Sequence, residues 1–192
     1  HSRFSGITAE DCVAKINAST ANAHAYLKQT DYLLITLGSA WVYTLTNQAA
    51  IAEEGSVAAN NHKAPANWFA RRLMTATETF EIINVMLQQL TLFNPRLHVI
   101  FTISPVRHLR EGVIDNNRSK AVLIQAVHQL VEQTEQTCYF PAYELVIDDL
   151  RDYRFYAEDL VHPNYQATQY VWKKFTEACM NEETRSLMKE IA

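Results

Sequence analysis

The chain is short of the residues that break a fold or staple one. Four glycines and five prolines in 192 residues exclude a collagen repeat, and with 48% hydrophobic content nothing suggests disorder. That content supports one sizeable buried core. The three cysteines, Cys12, Cys138 and Cys179, are odd in number, widely spaced and without a CxxC pair. They exclude a disulfide framework and a thiol zinc or redox motif, and point to a reducing compartment, the cytoplasm. Excess positive charge is also lacking. Lys+Arg 17 against Asp+Glu 21 gives a net charge of -4, and the basic residues are scattered, so neither nucleic acid nor a membrane surface is an expected partner. The longest apolar run, residues 32–45, is about two-thirds of a membrane span and carries Gly38 near its middle. It reads as a buried strand entering a loop. No initiator methionine or targeting pattern opens the sequence, so the expectation is a single domain over residues 1–192 taken from a longer chain.

What is present alternates between two periods. Thr8 and Asp11 have the spacing of a capping box, and Val13, Ile16, Thr20, Ala23 and Leu27 then recur at helical spacing. YLLITL at 32–37 is β-rich and apolar on both faces, as buried parallel strands are. Residues 40–65 read as a long functional loop with a turn at Glu53–Gly55 between two short extended arms. Thr75 and Glu78 form a second capping box before a stripe of Phe80, Ile83, Leu87 and Leu90 that stops before Asn94-Pro95. HVIFTIS at 98–104 is a second buried strand and CYF at 138–140 a third. Between them, Asn117 is expected to cap a helix that buries Leu123, Val127, Leu130 and Val131. A last helix is expected to start at Pro163 and bury Ala167, Val171, Phe175 and Ala178. This order predicts an α/β three-layer fold with a parallel sheet, its site beyond the carboxyl ends of the strands. Three strands are few for such a sheet, so one or more N-terminal strands are expected to be missing, leaving an open edge through which copies of the chain can associate.

One short string carries the chemistry. In YAEDLVHPNYQA, Asp159 precedes His162 by three residues, and Pro163 holds His162 in an extended backbone state. A carboxylate on one imidazole nitrogen stabilises the imidazolium that forms when the other takes a proton, which is what a general base for a hydroxyl or thiol nucleophile needs. The alternative is local: Asp159 a turn former and His162 a helix cap. His24, His98 and His128 lie on helix or strand positions with no second ligand at metal spacing, so neither a metal nor a cofactor is expected.

The D-x-x-H-P-N string resembles the last block of the SGNH (GDSL-like) hydrolases. LGSAWVY (37–43), NNHK (60–63), FTISPVRH (101–108), NRSKA (117–121), YFPAYE (139–144) and LRDYRFYAEDLVHP (150–163) together resemble the GSCFA family, a branch of that superfamily. The resemblance implies a flavodoxin-like sheet, a catalytic dyad at Asp159 and His162, and an acyl ester as substrate, on a small molecule or a carbohydrate. It also implies that the naming Gly-Ser-Cys-Phe-Ala motif, and with it a serine or cysteine nucleophile, lies upstream of His1.

Ser39 and Ser104, each at a strand end, are in-chain candidates for the site, with hydrogen bonding to nearby backbone as the alternative for both. Ala40 and Trp41 stand where the superfamily has an asparagine and an aspartate, so an oxyanion donor must come from elsewhere. Asn61, His62 and Lys63 are the candidates, unless they are an exposed polar loop. Arg107 and His108 are suited to a substrate carboxylate or phosphate, whereas Arg110 reads as part of a solvated turn. Residues 151–154 (RDYR) are expected to brace the Asp159 loop through salt links and a tyrosine. A binding module with a degenerate site is the rival to an enzyme.

Overall fold

The structure, a computed structural model of the chain, describes residues 2–49, 53–61 and 63–191. In chain order the strands are β1 (Tyr32–Leu37), β2 (Trp41–Leu45), β3 (Phe69–Leu73), β4 (His98–Ile103) and β5 (Thr137–Tyr139). The helices are α1 (Ala9–Leu27), α2 (Ala76–Phe93), α3 (Gly112–Gln133), the short α4 (Ala142–Glu144), α5 (Tyr165–Cys179) and α6 (Glu182–Ile191).

The alternation of apolar strands and helices yields the expected mixed α/β fold. Strands β1, β4 and β5 form a parallel sheet in that order, with Tyr32 opposite His98 and Val99 opposite Thr137. Because side chains alternate along a strand, β4 feeds two cores. Val99 and Phe101 meet Ile83 and Leu87 of α2 and Val127 and Leu130 of α3; Ile100 on the opposite face joins Phe140, Val171 and Phe175. Phe101 is fully buried, and truncating such a ring to alanine costs about 3–5 kcal/mol. Helices therefore lie on both faces of the sheet. The outer strand β1 is covered on one face only: Leu33, Ile35 and Leu37 pack inward, while Tyr32 and Leu34 are exposed.

Local chemistry sets the helix ends. Both arms of the Thr75–Glu78 capping box are present, and Thr8 accepts from the Asp11 amide at the start of α1. Asn94 ends α2, and its amide donates to the carbonyls of Leu27 and Thr30, which ties the end of α1 to the end of α2. α1 nevertheless buries none of its residues, and its expected inward stripe at Val13 and Ile16 is about half exposed.

The structure corrects several expected boundaries. Part of the expected loop is strand: β2 pairs antiparallel with β3, Trp41 opposite Leu73, and Thr44 bridges to Val57 beyond the turn at Gly55. α3 begins at Gly112, so Asn117 lies inside the helix rather than capping it. α5 begins at Tyr165 with Asn164 as its cap, because the Asn164 side chain accepts from the Ala167 amide; Pro163 sits just outside. Ala167 is buried as expected but Ala178 is exposed, and α6 was not anticipated.

Candidate active site

Three loops meet beyond the carboxyl ends of the parallel strands: residues 38–40 after β1, residues 104–108 after β4, and residues 156–163 before α5. The last is a tight closed turn. Tyr156 bridges to Pro163, Ala157 N–H donates to the His162 carbonyl, and Leu160 N–H donates to the Ala157 carbonyl. To close it, Leu160 takes a left-handed backbone with φ of 56°, a conformation that costs a residue with a side chain about 1–2 kcal/mol.

Inside this turn Asp159 uses both carboxylate oxygens. Oδ1 accepts from the amides of Val161 and His162 at 2.9 and 3.0 Å, and Oδ2 lies 2.6 Å from His162 Nδ1. The hydrogen bonds from His162 and the Val161 amide hold the carboxyl down at about 2. Asp159 is therefore a carboxylate throughout the neutral range. Nδ1 is committed to it, and among the described residues nothing is hydrogen-bonded to Nε2.

His162 opens onto a shallow cleft of about 640 Å³ that is also lined by Ser39, Trp41, Asn61, Arg107 and His108. Six of the expected site residues thus share one cleft. Asp159 lies behind His162, on a second cleft of about 490 Å³ that shares Arg107 and His108 with the first. Lys63, with a φ of 61°, and Ser104 do not line the first cleft. Ser104 is a turn former, its Oγ accepting from the Val106 amide. His62 falls outside the described residues. Arg110, expected in a solvated turn, lines the cleft and lies over the Tyr43 ring at 5.7 Å. The expected salt links from residues 151–154 to the Asp159 loop are not seen among the described residues; Arg154 pairs with Asp152, and the Arg154 carbonyl accepts from Asn164. The expected tyrosine does take part: Tyr153 lies 6.1 Å from the Tyr156 ring, and Arg107 stacks on Tyr156 at 4.6 Å and on Tyr153 at 5.6 Å.

Two groups beneath the cleft had no role assigned from sequence. Lys120, 1% exposed, donates from Nζ to the carbonyls of Gly38 and Ser104, both at 2.7 Å. Burial lowers its ammonium to about 8. Ser119 accepts from the Ala40 amide at 2.7 Å and lies 3.3 Å from the Ser39 hydroxyl, which itself accepts from the Trp41 amide. A signal for both was present: Asn116, Ser119 and Lys120 extend the stripe of Leu123 and Val127 at helical spacing, so polar side chains there face inward.

Two of the described thiols are poor nucleophiles. Burial raises Cys138 and Cys179, disfavouring their thiolates. Among the described residues no group of three or more His, Cys, Asp or Glu side chains is placed to hold a metal ion. No helix is long and apolar enough to cross a membrane, again among the described residues.

A parallel α/β sheet with an Asp–His pair beyond its strand ends defines a class of fold and site. The chain belongs to the GSCFA family, whose model matches residues 1–175. No curated protein and no solved structure matches it.

Proposed function

We propose that the protein hydrolyses or transfers the acyl group of an ester through an acyl-enzyme, as SGNH-type hydrolases do, with His162 as general base and Asp159 as the carboxylate that orients it. The observation that carries this reading is the 2.6 Å contact between Asp159 Oδ2 and His162 Nδ1, with no described group bonded to Nε2 and the imidazole at an open cleft. In the acylation step Nε2 takes the proton of a hydroxyl or thiol as that group attacks the ester carbonyl. The imidazolium then gives the proton to the departing alkoxide, and water repeats the sequence on the acyl-enzyme.

Ser39 is a poor candidate for the nucleophile because its Oγ is engaged by Ser119 and the Trp41 amide. A serine or cysteine upstream of His1 fits the reading better. The Trp41 and Tyr43 rings beside Asn60 and Asn61 suit the apolar faces and hydroxyls of a carbohydrate ester.

Aryl-ester hydrolysis tests the proposal in the 192-residue chain and in a longer chain that includes upstream sequence. Turnover only in the longer chain, cut at least about a hundredfold by His162→Ala, is the expected result. Turnover in the shorter chain that disappears in Ser39→Ala would overturn the nucleophile assignment.

A second reading, a binding module without turnover, is favoured by one observation. Ala40 and Trp41 stand where the resemblance implies an asparagine and an aspartate, and their amides are already bonded to Ser119 and Ser39. It predicts ligand binding and no turnover in either chain.

A further inference from the structure

Charge along the His162 cleft runs against that of the whole protein. The chain carries more acidic than basic side chains, 21 against 17. The cleft nevertheless has Arg107, Arg110 and His108 in its wall and no aspartate or glutamate among the described residues that line it.

Arg107 is the central group. It lines both the cleft in front of His162 and the one behind Asp159. Its guanidinium is fixed by aromatic faces rather than by a counter-ion, 4.6 Å from the Tyr156 ring and 5.6 Å from the Tyr153 ring. Among the described residues its side chain makes one hydrogen bond, a long one of 3.4 Å from Nη1 to the Leu160 carbonyl. Arginine has five N–H donors in a planar fork, so most of its capacity is unspent. Neither Arg107 nor Arg110 has a carboxylate partner among the described residues. Of the acids that share a cavity with Arg107, Asp159 is occupied by His162 and two amides, and Asp152 pairs with Arg154.

A guanidinium stacked on rings, in a side chain that lines a cleft with no acids among its described residues, is suited to receive a planar or tetrahedral oxyanion through two parallel hydrogen bonds that a point charge does not match. We infer that the cleft takes an acyl ester that carries its own carboxylate or phosphate, held by the Arg107 fork with Arg110 at the rim. The inference rests on the esterase reading for the word ester, and on the charge and geometry of the cleft for the anion. A purely structural Arg107, clamping Tyr156 to support the turn, would show no preference between charged and neutral ligands.

Calorimetric titration of the 192-residue chain with succinate, inorganic phosphate and neutral succinamide separates these roles without requiring turnover. Succinate and phosphate are expected to bind at least about tenfold more tightly than succinamide, and more weakly as salt rises. Arg107→Gln is expected to abolish that preference and Arg107→Lys to restore part of it. Equal binding of succinate and succinamide by the unsubstituted chain overturns the inference whether or not any variant folds. So does unchanged anion preference in a folded Arg107→Gln protein.

In the longer chain, monomethyl succinate and methyl butyrate compare a charged and a neutral methyl ester of similar length. His162-dependent turnover with no preference for the charged ester overturns the anion subsite and leaves the esterase reading standing. Anion preference in binding, with ester turnover indifferent to His162→Ala, does the reverse.

Discussion

Lys120 Nζ lies 2.7 Å from the carbonyl oxygen of Gly38, and it reaches Ser104 at the same distance. The lysine therefore joins the ends of two adjacent strands, each of which leads into a wall of the cleft. Lys120→Met leaves those carbonyls without their donor. The expected cost is about 1–3 kcal/mol in urea denaturation, set by the orphaned acceptors and partly offset by removing a buried charge.

The same lysine makes a pH prediction. Its folded-state value is lowered from 10.5 to about 8, so between those limits the unfolded chain binds the extra proton. The stabilisation is complete above 10.5 and is lost as pH falls through about 8. The stability curve of the Lys120→Met protein should lack that rise; an identical alkaline limb in both proteins would contradict the assignment.

Asp159 acts at the other end of the scale. With its carboxyl held at about 2 against an ordinary 3.8, its contribution is present above 3.8 and is lost as pH falls through about 2. Asp159→Asn should flatten that part of the acid limb. If the proposed dyad operates, it should also lower kcat/KM by about a hundredfold or more while the protein remains folded by circular dichroism.

At the start of α2, Thr75 Oγ1 accepts from the Glu78 amide while the Glu78 carboxylate accepts from the Thr75 amide and pairs with Arg72. Thr75→Ala removes the first arm and should cost about 1 kcal/mol. Thermal and urea unfolding measure it, and Thr75→Ser should restore most of the loss.

The outer edge of β1 has no strand partner among the described residues, and Tyr32 and Leu34 beside it are exposed. Unpaired apolar edges invite association. We expect the 192-residue chain to gain mass with concentration in light scattering and Leu34→Lys to suppress the gain. A constant monomer mass over the same range would dismiss a role for this edge.

How much of this could be read beforehand depended on the sequence distance over which each feature is built. The strands at 32–37 and 98–103 were legible because each is a short, continuous apolar run; burial on both faces accounts for the second, whereas the first is covered on one face only. Strand β3 was not: FARRL carries two arginines and pairs with β2 across a long connection, so its pattern has neither an apolar run nor clean alternation. The Asp159–His162 contact was legible because it spans three residues and a proline fixes its exit. Arg107 showed its charge but not its setting, since the carbonyl and rings that fix it lie far along the chain, Leu160 at a separation of 53 residues. Asn117 resembled a helix cap, but it lies inside α3 and its side chain accepts from the Asn116 amide group. Asn116, however, serves the neighbouring loop, accepting from the His108 amide from within α3.

The closed turn from Tyr156 to Pro163 also bears on how the protein assembles and opens. The hydrogen bonds that close it are local, those from Arg107 to Leu160 and Val161 being added from outside, whereas Ser39 meets Ser119 and Lys120 meets Gly38 across separations of 80 and 82 residues. Local contacts close with little loss of chain entropy, so the imidazole and its carboxylate can be set in place early, while the walls around them must wait for the sheet. Under native-state exchange the Ala157 and Leu160 amides should then remain protected in partial openings that already expose the Ala40 amide. The Asp159–His162 pair is encoded in a stretch of chain closed by its own local bonds; the shape of the cleft beside it is decided by the slower, collective part of the fold.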